Sequence, residues 1–296
     1  MKPADPNIPV VLFVYARADH LARTLACLRA NAVPLLCAFA DGPRGAADAA
    51  AVAETRALLR AIDWCEVRLT ERTENLGLGR NVLAGVSEIA AHHEAFLVWE
   101  DDLICVPGTY AWLCAALRHY VGDTRVRSVT GWTHPRITPS DVGANPYFDR
   151  RAECWVWGAY GRSWSGMEQS ALEKMAAVRA GGLAPEAYGA DLPVMAAAES
   201  GQNIWAVRWL YHHLQLGGLC LRPPWSMVEH IGLGVGATNA AAATDWANPP
   251  LRPAPTIPSF WPEPQENPAC RHLWSAANPG GWRQRWRRMR EKLISP

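Results

Sequence analysis

Ala95-Phe96-Leu97-Val98-Trp99-Glu100-Asp101-Asp102 is an apolar run that ends on three adjacent carboxylates. Its first five residues read as a buried strand. Two similar runs precede it, Val10 to Tyr15 and Leu35 to Ala40, and Cys65 to Leu69 reads as a third short strand. The intervening segments carry helical spacing. Leu21, Leu25 and Leu28 follow Asp19, an Ala-rich stretch fills Ala46 to Ile62, and Val82, Val86 and Ile89 form another stripe. Alternation of strand and helix predicts a parallel sheet with helices on its faces. In such sheets ligands bind outside the carboxyl ends of the strands. The residues to weigh are therefore those just after strands: Tyr15-Ala16-Arg17, Asp41-Gly42 and Glu100-Asp101-Asp102.

The second half is less regular. Val126 to Gly131 and Leu219-Cys220-Leu221 read as further strands, and Asn203 to Leu216 as a helix stopped by Gly217-Gly218. Eight prolines fall between Pro249 and Pro268, which predicts an extended segment without its own core. Beyond it Trp282, Trp286, Met289 and Leu293 share one helical stripe, ringed by Arg283, Arg285, Arg287, Arg288, Arg290 and Lys292. Two readings of this tail stand side by side. A basic amphipathic helix can lie on an anionic membrane surface, or it can pack on the domain by its tryptophans.

Composition sets bounds. The chain has 296 residues, 49% hydrophobic and 19% charged, enough apolar material for a real core. The net charge of +1 gives no global field that selects nucleic acid, so no nucleic-acid partner is expected. None of the eight cysteines has C-x-x-C spacing, and reduced thiols are expected. Met1 to Pro9 is polar, Val10 to Val14 is too short for a leader, and no run reaches spanning length. A cytoplasmic location is expected, with peripheral contact at the inner face of the plasma membrane if the tail lies on lipid. Fifteen tryptophans suit sugar binding, cores and membrane interfaces alike.

The acidic triplet carries the chemistry. Three neighbouring carboxylates repel one another unless solvated or bound to a cation. A hard divalent ion shared with diphosphate oxygens resolves that repulsion. A helix start with favourable acidic residues is the bland alternative.

Val11 to Tyr15, Asp41-Gly42, Asn75-Leu76-Gly77-Leu78-Gly79-Arg80-Asn81 and Val98 to Asp102 together resemble the donor half of GT-A glycosyltransferases, the nucleotide-diphospho-sugar transferase fold. Later segments are similar to bacterial family 2-type enzymes of surface-polysaccharide synthesis. These are Trp155 to Tyr160 with Arg162 and Trp164, Trp205-Ala206-Val207-Arg208-Trp209, Leu219 to Pro223, His230-Ile231-Gly232 and Gly236-Ala237-Thr238. The likeness spans residues 8 to 239. It implies an α/β, Rossmann-like, mixed but mostly parallel sheet flanked by helices. The implied domain covers 1–248, with a nucleotide-sugar half at 1–131 and an acceptor half at 132–248. Residues 249–296 follow as the proline-rich extension and basic helix.

The resemblance also implies roles. Tyr15 and Arg17 would flank the nucleotide, and Asp41 would meet uracil or ribose. Asn75, Gly77 and Arg80 would line the diphosphate or donor sugar. Glu100 and Asp101 would orient ribose and sugar, and Asp102 would ligate Mn2+ or Mg2+. A late histidine, here His230, completes the metal shell in several enzymes of the fold. Trp155, Trp157 and Trp164 would wall the acceptor, unless they are core residues under a loop. An inverting transferase needs a carboxylate base. The resemblance expects an Asp near the Trp205 helix, where this chain has Asn203 and Ala206; Asp191, Glu199 and Glu229 are the nearby carboxylates, of which Asp191 and Glu199 are the candidate bases. The implied partners are a nucleotide-diphosphate sugar, with a UDP-sugar favoured, and a glycan or lipid-linked acceptor. Two rivals stand beside this reading. A sugar nucleotidyltransferase would carry a Gly-rich basic loop after the first strand, which Ala16 to His20 lacks. A non-catalytic nucleotide-sugar binder fits the missing Asp but not the intact acidic triplet.

Overall fold

The structure is a computed structural model that describes residues 7–202, 204–232, 246 and 248–280. The chain opens with β1 (Val10–Val14), α1 (Ala18–Ala30), β2 (Leu35–Ala40), α2 (Ala49–Arg60), β3 (Glu66–Glu71), α3 (Leu78–His92) and β4 (Ala95–Glu100). Then come β5 (Leu103–Cys105), α4 (Thr109–His119), β6 (Val126–Thr130), β7 (Tyr147–Asp149), β8 (Trp157–Tyr160) and α5 (Gly161–Trp164). The remainder comprises α6 (Ala171–Ala180), a 3-10 turn (Pro185–Tyr188), α7 (Asp191–Gln202), α8 (Trp205–Gln215), β9 (Leu219–Arg222), β10 (Val228–His230) and α9 (Cys270–Ala277).

One eight-stranded sheet has the order β3-β2-β1-β4-β8-β6-β9-β7. β1, β2, β3 and β4 are parallel, β8 runs against both β4 and β6, β9 is parallel to β6, and β7 is antiparallel to β9. The sheet is thus mixed and mostly parallel, as the strand–helix alternation requires. β1 is buried at every position, which matches a strand covered on both faces. Its side chains alternate between two cores. Val10, Leu12 and Val14 meet Leu21, Leu25 and Leu28 of α1 with Trp112 of α4. Val11 and Phe13 meet Val82, Val86 and Ile89 of α3 and the tryptophans of α8.

The connections define where a ligand sits. From β1 the chain steps outward to β2 and β3, then returns to place β4 on the other side of β1. That reversal opens a crevice at the carboxyl ends of β1 and β4. Register sets Phe13 opposite Glu100, so Tyr15 and the acidic triplet leave the sheet side by side. A small antiparallel sheet of β5 and β10 closes the same edge and pairs His230 with Leu103.

The proline-rich segment lies on the domain. Tyr120 OH donates to Pro262 O (2.6 Å), the Trp261 ring is 5.7 Å from that of Trp112, and Asn267 N donates to Phe148 O (2.9 Å). Trp274 Nε1 on α9 donates to Asp149 Oδ2 (2.6 Å), which also accepts from Arg222 Nε (3.0 Å). Asn203, Gly236-Ala237-Thr238 and the basic tail from Trp282 to Leu293 lie outside the described residues. No helix of the described residues is long and apolar enough to cross a membrane.

Candidate functional site at the carboxyl ends of β1 and β4

Tyr15 N donates to Asp101 Oδ2 at 2.8 Å, which ties the end of β1 to the acidic triplet. Ala16 then takes a positive φ of 48°, a region costly for a residue with a Cβ. The turn aims Arg17 back over the acids. Arg17 Nη2 donates to Asp101 Oδ1 at 2.6 Å and to Asp102 Oδ2 at 2.7 Å. The two aspartate side chains are only 5% and 8% exposed. Such a buried pair needs a cation nearby, and Arg17 supplies one. Thr24 Oγ1 of α1 donates to Asp101 O at 2.9 Å and fixes the turn from below.

The electrostatics follow from crowding and lost water. Burial, reinforced by Asp102 and Asp101, pushes the half-buried Glu100 carboxyl up to about 8. Burial raises Asp101 to about 6, with Arg17 opposing the rise. Asp101 and Asp102 hold Arg17 above its ordinary range against the opposing effect of burial. The sign for stability is fixed by these raised acid values. The folded state binds more protons than the unfolded one between about 4.5 and 8, so Glu100 costs stability progressively as pH rises through that window. His212 and His213, held at about 4 and 3 by burial, act in the opposite sense at lower pH. We therefore expect the melting temperature of Glu100→Gln, relative to wild type, to rise steadily from pH 5 to pH 8. A difference that stays flat over that range would refute the raised Glu100 value.

Asp102 is the pivot of the site. Its backbone O accepts from Ile231 N at 2.8 Å, and a Cβ on Gly232 would meet its Oδ2 at 2.2 Å, so only glycine fits there. Asp102 Oδ1 is buried and accepts no hydrogen bond. Hard divalent ions need only one or two carboxylates when phosphate oxygens and waters complete the shell, so this orphaned oxygen fits one. Among the described residues no three His, Cys, Asp or Glu side chains form a closed metal cage.

His230 lies at the same edge of the sheet, paired with Leu103. Its Nε2 is 4.0 Å from Asp102 Oδ2. Gly232 N donates to His230 Nδ1 at 3.2 Å. Burial holds the imidazole pKa below its ordinary value. A neutral ring whose Nδ1 accepts carries its proton on Nε2. His230 thus faces Asp102 with its Nε2–H in this arrangement. Asn248, 18 residues on, accepts from His230 N (2.8 Å) and donates to its O (3.0 Å).

The second wall of the crevice is built by Asp41. Its Oδ1 accepts from Gly42 N (2.9 Å) and Leu76 N (2.8 Å), and its Oδ2 from Gly77 N (2.9 Å) and Asn75 Nδ2 (3.2 Å). Four donors occupy both oxygens, so Asp41 holds the Asn75–Gly77 loop in place. Asn75 also donates to Gly42 O at 2.8 Å. Gly77 adopts φ 72°, which glycine tolerates without strain, and starts α3. Arg80 is exposed and donates to Leu76 O at 2.8 Å. Sequence reading missed Asp48, which accepts from the Tyr15 hydroxyl and from Arg44 N and Gly45 N (3.1 and 3.2 Å). Nothing in its spacing signals a contact 33 residues from Tyr15.

The expected acceptor residues separate. Trp155 is half-buried and packs edge-on to His230, with ring centroids 5.1 Å apart. Val156 behind it takes a positive φ of 46°. Trp157 and Trp164, 0% and 3% exposed, are instead core residues. Trp157 lies 5.8 Å from Trp164 and 4.9 Å from Trp209 and leaves no ring face for a sugar.

The carboxylates proposed as bases are also engaged elsewhere. Asp191 pairs with Arg151 through both oxygens (3.0 and 2.6 Å). Glu199 accepts from Arg208 Nε (2.6 Å) and from Ala171 N (2.7 Å). Both sit on α7, which packs on α6, α8 and the 3-10 turn. Both carboxylates are held by arginines, and Trp205 and Trp209 of the helix near which the base was expected are buried in the core.

No family model matches the chain, and no curated protein matches it. Solved structures do. The mannosyltransferase PcManGT from Pyrobaculum calidifontis, in complex with GDP-Man and Mn2+, is similar at a TM-score of 0.37 and 17% identity, over 59% of this chain and 50% of that one. TarS 1-349 from S. aureus is similar at a TM-score of 0.39 and 10% identity, over 53% of this chain and 48% of that one. The chain thus spans about half the length of each of these structures.

Proposed function

We propose that the protein transfers a sugar from a nucleotide-diphosphate sugar, a UDP-sugar in the favoured case, to a hydroxyl acceptor with a divalent ion at Asp102. The observation that carries this reading is the buried, unpaired Asp102 Oδ1 at the switch point between β1 and β4. An Mn2+ or Mg2+ bound there would supply a Lewis acid for the leaving diphosphate. Arg17 would hold Asp101 and Asp102 in place and present positive charge at the same edge. Glu100, beside them, would orient the ribose or the sugar. His230 Nε2–H would donate to an anionic oxygen beside Asp102. The Asn75–Gly77 loop, fixed by Asp41, would close over the diphosphate, with Arg80 at the rim.

Trp155 is the aromatic face we assign to the acceptor, which in this reading is a glycan or lipid-linked hydroxyl in surface-polysaccharide synthesis. Glu153 is the carboxylate on the same loop. Its Oε1 accepts from Cys154 N at 2.9 Å and its Oε2 pairs with Arg222 Nη1 at 3.5 Å, a longer ion pair than the 2.6 Å pairs of Asp191 and Glu199. We place the acceptor base there in preference to Asp191 and Glu199. General-base removal lowers rates by about 10²–10⁴-fold. Release of nucleoside diphosphate from a panel of nucleotide sugars with Mn2+ tests the reading. Activity should require the metal, fall by that factor in Glu153→Gln, and persist in Asp191→Asn. Metal-independent turnover, or loss in Asp191→Asn with Glu153→Gln unaffected, would overturn the respective assignment.

A further inference from the structure

We infer that Cys27 and Cys105 form a dithiol site that reacts with small-molecule disulfides and closes a covalent bridge between α1 and β5. The two sulfurs are 3.5 Å apart. They are held there by a local network. Cys27 Sγ donates to Cys105 O at 3.2 Å, and Cys105 N donates to Cys27 Sγ at 3.1 Å. Asn31 Nδ2 reaches both sulfurs, at 3.8 and 3.6 Å, while its Oδ1 accepts from Tyr110 N at 3.2 Å. Both thiols are half-buried, whereas Cys37, Cys114, Cys220 and Cys270 are buried. A disulfide has an S–S bond of about 2.05 Å, so closure needs a relative movement of only about 1.5 Å.

The two thiols are unequal. Hydrogen bonds from the Cys105 side chain and backbone and from Asn31 draw Cys27 below the ordinary thiol range, against burial. Burial pushes Cys105 up. Cys27 is therefore the attacking thiolate and Cys105 the resolving thiol. In the first step Cys27 thiolate attacks one sulfur of a glutathione-type disulfide. That S–S bond breaks, and one thiolate leaves and takes a proton. Cys105 then gives its proton to solvent and attacks the Cys27 sulfur, which expels the second small thiol. Two protein thiols are oxidised by two electrons, and one small disulfide is reduced to two thiols. The bridge would lie under the acidic triplet, since Thr24, one turn before Cys27, holds Asp101 O and also contacts Leu103 O at 3.4 Å.

The test is peptide mapping of the full chain after equilibration with glutathione disulfide and alkylation of remaining thiols. Wild type should yield a Cys27–Cys105 cross-linked peptide lighter by two hydrogens and abolished by dithiothreitol. Cys105→Ser should accumulate a glutathione adduct on Cys27, and Cys27→Ser should leave Cys105 unmodified over the same period. Melting curves of both serine variants check that they fold, and the wild-type cross-link stands as a separate readout. Bridges among other cysteines, or a wild-type chain whose Cys27 and Cys105 both remain alkylatable, would overturn the inference.

Discussion

Asp102→Asn is expected to lower sugar transfer by on the order of 10²–10³-fold or more while leaving the protein folded, the scale seen when one preorganised electrostatic group is removed from a site. The substitution keeps shape and removes charge. In the wild type one oxygen of Asp102 is taken by Arg17, and the other is buried without a partner. An amide oxygen at that position cannot neutralise a divalent ion, and an NH2 group there would repel it. Arg17 keeps Asp101 at 2.6 Å as its anchor, so the variant should melt near the wild-type temperature. Its KM for the metal should rise and its kcat should fall together. Comparable turnover in wild type and Asp102→Asn, measured at saturating Mn2+, would refute the proposed metal site.

Arg17→Met should have the largest effect on stability. It strips the resident cation from two aspartates that are 5% and 8% exposed and from the neighbouring Glu100. Removing one partner of a buried ion pair typically costs about 3–5 kcal/mol. The sign with pH is definite. At pH 8 the acids must ionise without compensation, and the loss should be full. At pH 5 Glu100 and Asp101, with values of about 8 and 6 even beside Arg17, can stay protonated, and the loss should shrink. Added Mn2+ should restore more stability to the variant than to wild type, because it supplies the missing positive charge. Urea unfolding at pH 5 and pH 8, with and without Mn2+, measures all three expectations. A loss that is equal at both pH values would mean that Arg17 stabilises through packing alone.

Three strands of the parallel half were legible in the sequence because they are buried on both faces, whereas the edge strand β3 is not. Val10–Val14, Leu35–Ala40 and Ala95–Glu100 are continuous apolar runs, and their polar ends mark one sheet edge. α4 was missed, since Thr109–His119 is apolar nearly all round and shows no stripe. α6 and α7 were missed for a related reason: Ala171–Ala180 and Asp191–Gln202 are rich in alanine and carry weak amphipathic patterns. Long-range side-chain pairing was not legible at all. Arg17 meets Asp101 across 84 residues, and no local period encodes that contact. The role of His230 turns on a backbone N–H two residues away, which a residue type alone cannot reveal. Trp157 and Trp164 look like a sugar platform in one dimension because exposed and buried tryptophans share the same letters. Only the stacking against Trp209 and Trp205 separates them from Trp155.

The most direct measurement is the melting temperature of wild type and Asp102→Asn against a panel of nucleoside diphosphates, each with and without Mn2+. A ligand that binds only the native state raises the melting temperature, by about 2.7 kcal/mol of stability at a hundredfold excess over its Kd. At least one diphosphate should stabilise wild type strongly only when Mn2+ is present, and Asp102→Asn should lose this response. No response to any diphosphate, or an equal response in the variant, would contradict it.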